Sequence, residues 1–380
     1  MRFSGFFAVF LLGSANLLAP AFAEDSLPAL TLEPQVTVSG LSSGAFMTVQ
    51  LQTAFSARIS GVGVVSGGPF DCAGGYVYNP FFDPKDMRIG QAVAICLNPT
   101  ETLPYLPLLP FVTDYIENQT LARIRILESR GSIDPAAEIK DDRIYMFLGS
   151  KDTIVRRETM AMLRDTYKEL GVPDDQVEFV QDVPAGHSFV TDLGDVPCAE
   201  TEPDYLNLCD ADGKEGGPAL DQAQQILGHL YGPLKSEVAP VEANLITFDQ
   251  SAYTEGAMGM DPAAFVYIST ACKDSATTCR LHIALHGCSQ GRSSELPDGS
   301  LMGERYATLT GYNGWAEANR IVVFYPQAMA VPAPAFQPAR NNPKGCWDWW
   351  GYGGEDYLTR SAPQMAAIAR MAAALGAPLK

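Results

Sequence analysis

Three residues of this chain have the types and the spacing needed for nucleophilic catalysis by a serine. Ser42 lies in a G-L-S-S-G motif at residues 40–44, between a short β-prone run and a stretch with helical periodicity. A serine at such a strand-to-helix turn is held with its hydroxyl clear of the backbone. The hydroxyl is a poor nucleophile alone, so a base must take its proton and an acid must orient that base.

The base is predicted by elimination, because the chain has only four histidines. His187 follows a predicted strand at residues 176–180, in a glycine-containing loop. His229 falls within a helical pattern, His282 falls within a strand, and His286 belongs to a separate motif. We therefore predict that His187 is the base.

The acid is predicted to be Asp152, which comes just after the preceding strand at residues 143–148. Asp182 lies too close to His187 along the chain, and Asp192 and Asp195 follow the histidine. A turn or helix-capping role is the alternative for Asp152. The resulting order of serine, acid and histidine is the order found in α/β-hydrolases.

A second loop carries a motif suited to stabilising a negatively charged oxygen. The sequence H-G-C at residues 286–288 follows a predicted strand and is similar to the H-G motif of an oxyanion loop. In that motif a backbone N–H acts together with the N–H that follows the nucleophile. The two donors would be Ser43 and Cys288. A thiolate nucleophile at Cys288 is the alternative, and an expected disulfide argues against it.

Strands alternate with helical segments along the chain, which predicts an α/β fold with a mostly parallel, doubly wound sheet. The strand-to-helix turn that carries the serine is called the nucleophile elbow. In the usual α/β-hydrolase the strand that leads into the oxyanion loop precedes this elbow, whereas here the H-G-C motif follows the elbow by roughly 240 residues. A circular permutation of the α/β-hydrolase fold explains this order most simply, because chain termini often lie close together. Residues 97–112, rich in proline and large apolar side chains, are predicted to form a lid or cap, with plain core packing as the alternative.

The N-terminal residues have the character of a secretory signal peptide. A positively charged start is followed by an apolar run over residues 6–18 and by an A-F-A sequence that ends at Ala23. A membrane anchor is the alternative, but the apolar run is too short to span a bilayer. We predict a signal peptide at residues 1–23 and a single catalytic domain at residues 24–380, in a secreted or periplasmic protein.

The net charge of −18 argues against binding of nucleic acid or of an anionic membrane. No C-x-x-C pair indicates a zinc site, and no later segment is long and apolar enough to cross a membrane. The charge is compatible with a neutral substrate and is equally explained as a plain solubility feature. We expect a monomer that needs neither a metal nor an organic cofactor.

Eight cysteines in an exported chain predict disulfide bonds. The sequence leaves many connectivities open, and we expect cysteines that are near one another along the chain to pair. The expected local pairs are Cys72–Cys96, Cys198–Cys209 and Cys272–Cys279, which leaves Cys288 to pair with Cys346. The last pair would tie two distant segments together beside the active site.

Six motifs together resemble those of poly(3-hydroxybutyrate) depolymerases. They are G-L-S-S-G, G-S-K-D-T-I-V, A-G-H-S-F, L-H-G-C-S-Q, Y-N-G-W-A-E-A-N-R-I-V-V-F-Y-P-Q and G-C-W-D-W-W-G-Y. The resemblance is to the group with a circularly permuted α/β-hydrolase catalytic domain, and it covers nearly the whole mature chain. It implies a serine esterase that cleaves polyesters of (R)-3-hydroxyalkanoates.

The same resemblance implies roles for particular residues. It places Ser42, Asp152 and His187 as the catalytic triad, and the Ser43 and Cys288 amides as the oxyanion hole. It also implies that a tryptophan of the C-W-D-W-W segment lines the substrate groove, with Trp350 favoured and Trp349 next. Aromatic packing alone is the alternative for this cluster.

Many members that resemble this chain append a linker and a separate polymer-binding domain, whereas this chain stops at Lys380 without either. We therefore expect amorphous polymer or oligomers as substrates. The enzyme alternative is a feruloyl or acetylxylan esterase that acts on plant polysaccharide. The non-enzyme alternative is a hydrolase-like binding protein, which is disfavoured because no triad position is missing.

Overall fold

The computed structural model describes residues 26–74, 92–97, 110–210, 217–332 and 340–380. The predicted signal peptide lies outside these residues. So do residues 98–109, which make up most of the predicted cap segment. Within the ranges that are described, no helix has both the length and the apolar character needed to cross a bilayer.

The strands build a central sheet of eight strands and a small sheet of three. The strands are β1 (Leu32–Leu41), β2 (Ile59–Val65), β3 (Arg143–Phe147), β4 (Val177–Val180), β5 (Phe189–Val190), β6 (Val196–Pro197), β7 (Leu206–Leu208), β8 (Leu245–Asp249), β9 (Ala263–Ile268), β10 (Cys279–Leu285) and β11 (Ile321–Tyr325). The α-helices are α1 (Ser43–Ala54), α2 (Pro110–Ser129), α3 (Arg157–Glu169), α4 (Gln222–Tyr231), α5 (Ser251–Thr254), α6 (Arg305–Leu309), α7 (Tyr312–Asn319) and α8 (Pro363–Leu375).

The central sheet is mostly parallel, as the alternation of strands and helices predicts. Its strand order is β4-β3-β2-β1-β10-β11-β9-β8, and only the pairs β11–β9 and β9–β8 are antiparallel. β1 lies in the middle, where Gly40 pairs with Leu285 of β10 on one side and with Val64 of β2 on the other. The carboxyl ends of the parallel strands therefore lie on the same side of the sheet, beside Ser42, which follows β1.

The two faces of the sheet bury different layers because side chains alternate along each strand. Val36 and Val38 of β1 belong to one apolar core, which also contains residues of α1 and α8. Thr37 and Ser39 point to the other face, where they meet His282 of β10. Helix α1 is buried along its whole length. The elbow is thus enclosed by the core rather than exposed at the surface.

Helix α2 and strand β8 are among the elements that the sequence patterns did not predict. Helix α2 begins at Pro110, inside the proline-rich run, and the polar residues at positions 117–120 interrupt its apolar pattern. β8 is an edge strand whose residues are mostly half-buried, so it shows no strong alternation. Neither element carries a residue of the predicted site.

The eight cysteines form the four disulfides predicted from sequence order. They are Cys72–Cys96, Cys198–Cys209, Cys272–Cys279 and Cys288–Cys346. The last bond joins the loop after β10 to the tryptophan-rich segment near the C-terminus. Its place next to the end of β1 follows from the pairing of β1 with β10.

Candidate active site

Ser42 occupies a tight turn between β1 and α1. Its φ of 56° is positive, a region that costs energy for any residue with a side chain. The glycines on either side have no room for a Cβ atom. A Cβ on Gly40 would lie 2.4 Å from the carbonyl oxygen of Gly44, and one on Gly44 would lie 2.4 Å from that of Leu285. The motif therefore needs glycine at both positions for α1 to pack against β1 and β10.

His187 and Asp152 are hydrogen-bonded to each other on neighbouring loops. Asp152 comes after β3 and His187 comes after β4, as predicted. The distance from His187 Nδ1 to Asp152 Oδ2 is 2.8 Å. The other carboxylate oxygen accepts the backbone N–H groups of Ile154 at 2.8 Å and Val155 at 3.0 Å. Both oxygens of Asp152 are thus held in place.

The environment of Asp152 keeps it ionised. Burial alone would raise the pKa of its carboxyl, but the charge of His187, the hydrogen bond from that histidine and the N–H of Val155 outweigh burial and lower the pKa. An ionised carboxylate can only accept a hydrogen bond, so His187 Nδ1 must donate. His187 Nε2 is then left to serve as a base.

The predicted nucleophile and base line one cavity of about 430 Å³. Cys288 also lines this cavity, and so do Trp349 and Trp350. The structure therefore brings together residues from four separate loops. Most of the remaining wall is apolar, which suits a substrate with little charge.

The two predicted oxyanion donors are the backbone N–H groups of Ser43 and Cys288. Ser43 is the first residue of α1, so its N–H precedes the first hydrogen bond within the helix. Beside Cys288, the N–H of Gly287 donates to Gln290 Oε1 at 2.7 Å and the N–H of Ser289 donates to the Lys344 carbonyl at 2.6 Å. Among the described residues, no acceptor is paired with the N–H of Cys288.

The predicted oxyanion loop, residues 286–290, is held by His286, a role that the sequence did not indicate. Its Nδ1 donates to the Gly287 carbonyl at 2.7 Å, and its Nε2 accepts the N–H of Ala328 at 3.0 Å. Burial lowers the pKa of His286 to about 4, so the ring is neutral at neutral pH. The carbonyl of His286 accepts Trp347 Nε1 at 3.0 Å. The sequence feature that could have indicated this structural role is a histidine directly after a predicted strand.

The two predicted groove tryptophans differ in their surroundings. Trp349 is buried at 5% exposure and stacks on Phe46, with ring centroids 4.2 Å apart and planes 12° apart. Trp350 is half-buried and meets Trp349 edge-on at 5.5 Å. Trp349 therefore has the contacts of a core residue, whereas Trp350 presents part of its ring to the cavity.

A disulfide-closed loop supplies cavity residues that the sequence did not single out. The loop between Cys198 and Cys209 carries Thr201 and Tyr205, which both line the cavity. Thr201 Oγ1 accepts the backbone N–H of His187 at 3.0 Å. The sequence shows no regular periodicity in this loop, which owes its position to tertiary contacts.

The remaining histidines have structural partners. His282 Nδ1 lies 2.7 Å from Thr37 Oγ1, and its Nε2 lies 2.8 Å from Ser39 Oγ. Burial lowers the pKa of His282 to about 3. His229 Nε2 lies 3.0 Å from the Gln176 carbonyl. Neither ring lines the cavity of Ser42.

Comparison with known proteins gives two similar curated relatives, and no family model matches the chain. The poly(3-hydroxybutyrate) depolymerase of Delftia acidovorans is 35% identical over 351 residues, covering 91% of this chain. The chain spans only 60% of the length of that relative. The polyhydroxybutyrate depolymerase of Talaromyces funiculosus is 34% identical over 368 residues, covering 94% of this chain and 93% of the relative.

Two solved structures are similar over most of both chains. One is a serine-to-alanine variant of a PHB depolymerase complexed with an R3HB trimer, with a TM-score of 0.72, 31% identity and coverage of 92% of this chain and 98% of the other. The other is the PHB depolymerase from Penicillium funiculosum, with a TM-score of 0.71, 32% identity and coverage of 91% and 97%.

Proposed function

Because this chain belongs to the poly(3-hydroxybutyrate) depolymerase family, we propose that it is a serine esterase that hydrolyses poly(3-hydroxybutyrate) and its oligomers. The observation that carries this proposal is the His187–Asp152 hydrogen bond in the loops beside the Ser42 elbow. The relatives named above support the choice of substrate, and the largely apolar cavity suits an aliphatic polyester.

In the proposed acylation step, His187 Nε2 takes the proton of Ser42 Oγ as this oxygen attacks the ester carbonyl carbon. Asp152 holds the His187 ring through Nδ1 and stabilises the imidazolium that forms. The N–H groups of Ser43 and Cys288 donate to the carbonyl oxygen as it gains negative charge. His187 then protonates the departing alcohol, which leaves as the hydroxyl end of the shortened chain.

In the proposed deacylation step, His187 removes a proton from water, which attacks the acyl group on Ser42. The collapse of the second tetrahedral intermediate returns the proton to Ser42 and releases a chain with a free carboxylate. The products are 3-hydroxybutyrate or short oligomers. This sequence of steps calls for no metal and no organic cofactor.

The aromatic face of Trp350 is proposed to bind the aliphatic chain of the substrate. It lines the cavity and is half-buried, so part of its ring surface is available for contact. Trp349 is proposed as a second groove residue, which acts mainly by supporting Trp350 through the edge-on contact. The stacking of Trp349 on Phe46 favours this supporting role.

We also propose that the fold is a circularly permuted α/β-hydrolase made as an exported, monomeric single-domain protein. The support for permutation is that β10, which precedes the oxyanion loop, adjoins the elbow strand β1 although it follows it in the chain. The support for export is the four disulfides, which persist in oxidising compartments. N-terminal sequencing of the mature protein, expected to begin at Glu24, tests the signal peptide.

The decisive experiment compares Ser42→Ala with the wild type on amorphous poly(3-hydroxybutyrate). Release of 3-hydroxybutyrate and its oligomers is expected from the wild type and is expected to fall by at least about 10³-fold in the variant, since the nucleophile is lost. Ser236→Ala, at an exposed serine, is the matched control and should retain full activity.

Substrate comparison separates this proposal from its alternative. Feruloylated and acetylated xylans should give no release of ferulate or acetate above the level of the Ser42→Ala variant. Undiminished depolymerase activity in that variant would overturn the mechanism. Release of ferulate or acetate, with none of 3-hydroxybutyrate, would overturn the substrate.

A further inference from the structure

One lysine, Lys344, lies in the wall of the proposed active-site cavity. Among the described residues that line it, Lys344 is the only one with a permanent charge, and none is an aspartate or a glutamate. The chain as a whole has a net charge of −18, so the charge of Lys344 is opposite in sign to the net charge of the protein. A single lysine among the described lining residues gives the cavity a means to recognise an anionic part of a substrate.

The backbone of Lys344 is held rigidly next to the oxyanion loop. Asn342 Oδ1 accepts the N–H of Cys346 at 2.9 Å, and Asn342 Nδ2 donates to the Cys346 carbonyl at 2.8 Å. The Lys344 carbonyl accepts the N–H of Ser289, and the Cys288–Cys346 disulfide links the same two segments. Lys344 therefore keeps a constant position relative to the Cys288 amide.

The side chain of Lys344 is exposed, and no acidic residue in the described part of the chain forms an ion pair with it. Its ammonium group is thus available to a ligand at the cavity. An exposed lysine interacts through its charge and tolerates variation in geometry, which suits a flexible chain end.

We propose that Lys344 binds the terminal carboxylate of short 3-hydroxybutyrate oligomers and so directs cleavage to ester bonds near that end. The inference rests on the proposed function. Within a polyester chain every repeating unit is neutral, and the carboxylate at one terminus is the only anionic group. An ammonium beside the cleft therefore distinguishes a short oligomer from the interior of the polymer.

The test uses two forms of one substrate, the linear 3-hydroxybutyrate trimer as a free acid and as its methyl ester. Wild-type enzyme should show a higher kcat/KM on the free acid, and this preference should shrink as salt is added, because ions screen exposed charges. In Lys344→Met the kcat/KM on the free acid should fall by roughly threefold to tenfold, the scale of a partly exposed charged contact. Activity on the methyl ester should change by less than about twofold.

Two further variants sharpen the result. Lys344→Arg keeps the positive charge and should keep the preference for the free acid. Lys140→Met removes an exposed lysine that does not line the cavity, and it should behave as the wild type. The second variant controls for the change in net charge alone.

The outcomes separate the two proposals. If the wild type cleaves both trimers and Lys344→Met leaves their ratio unchanged, or lowers both rates equally, the role of Lys344 is overturned while the proposed function stands. If the wild type cleaves neither trimer and does not cleave the polymer, the proposed function fails and the inference fails with it.

Discussion

The imidazole of His187 lies 2.8 Å from the carboxylate of Asp152, across a separation of 35 residues in the chain. Replacing Asp152 with asparagine would favour the wrong tautomer of His187, with its proton on Nε2. We expect Asp152→Asn to lower kcat on p-nitrophenyl butyrate by about 10³-fold to 10⁴-fold with little change in folding. Asp182→Asn, at an exposed aspartate on a nearby loop, is the control. A similar loss in both variants would contradict the assignment.

Gln290 joins the oxyanion loop to the loop that carries Tyr205. Its Oε1 accepts the N–H of Gly287 and its Nε2 donates to the Asp204 carbonyl, each at 2.7 Å. Gln290→Ala should lower kcat by roughly tenfold to a hundredfold, because the Cys288 amide loses its fixed direction. The KM should change by less than kcat, since Gln290 lines the cavity but is only 1% exposed and so offers little surface to the substrate. Gln176→Ala should alter neither value. A rise in KM without a fall in kcat would argue against this positioning role.

Substitutions of the two tryptophans are expected to have different effects, since Trp349 contributes mainly to stability and Trp350 mainly to substrate binding. Trp349→Ala should lower the free energy of unfolding by about 3–5 kcal/mol, because a buried, stacked ring is lost. Trp350→Ala should cost much less stability but raise KM for the oligomers roughly tenfold, since the loss of an aromatic contact is worth about 1.5 kcal/mol. Trp350→Phe should recover most of the affinity. Denaturation curves and steady-state kinetics measure the two effects, and equal changes in both variants would contradict the distinction.

A buried carboxyl far from the catalytic loops should make stability depend on pH. Burial raises the pKa of Asp142 to about 8 and outweighs the hydrogen bond from Gln52, which lowers it. The carboxyl is thus protonated in the fold at neutral pH. In the unfolded chain the pKa of this carboxyl is near 3.9, so between about pH 4 and 8 the folded state binds more protons than the unfolded state. The contribution of the protonated Asp142 carboxyl to the free energy of unfolding is fully present below about pH 4 and is lost as the pH rises through about 8.

Asp142→Asn should abolish this contribution, because an amide cannot ionise. Relative to the wild type, the variant should gain stability on going from pH 5 to pH 8.5, by an amount of the order of 2–4 kcal/mol, since each pKa unit corresponds to about 1.4 kcal/mol. Urea unfolding at the two pH values measures the difference. Parallel stability–pH curves for the two proteins would contradict the protonated state of Asp142.

The Cys288–Cys346 bond should matter for both stability and catalysis. It closes a loop of 58 residues, for which chain entropy predicts roughly 4 kcal/mol of stabilisation. Replacing both cysteines with alanine should also lower kcat, because the segment that carries Lys344 and Trp350 is released from the oxyanion loop. The same replacement of Cys272 and Cys279 removes a bond with a separation of only 7 residues, so it should cost less stability and leave kcat unchanged. Equal kinetics in the two double variants would contradict the catalytic effect.

The sequence predicts the parallel sheet and the placement of Ser42, Asp152 and His187 because each of these features is local. A strand followed by a loop residue of a reactive type can be recognised within about ten positions, as the strand-to-helix serine motif illustrates. The elbow motif also contains the glycines that its tight packing requires.

The supporting residues could not be predicted because their roles depend on contacts between distant segments. Thr201 reaches His187 only because a disulfide folds its loop back, and His286 acts through the backbone of Ala328. Lys344 carries no local pattern at all, and its place at the cavity follows from the bond between Cys288 and Cys346.

The position of β1 between β2 and β10 has a consequence for the order of events during synthesis. The pairing of Gly40 with Leu285 joins residues about 245 positions apart. At roughly 5–20 residues per second, a ribosome produces β10 on the order of 10–50 s after β1. Throughout that interval the elbow lacks the strand against which Gly44 packs. Contacts this distant also slow folding. The proposed active site is therefore incomplete until most of the chain has been made.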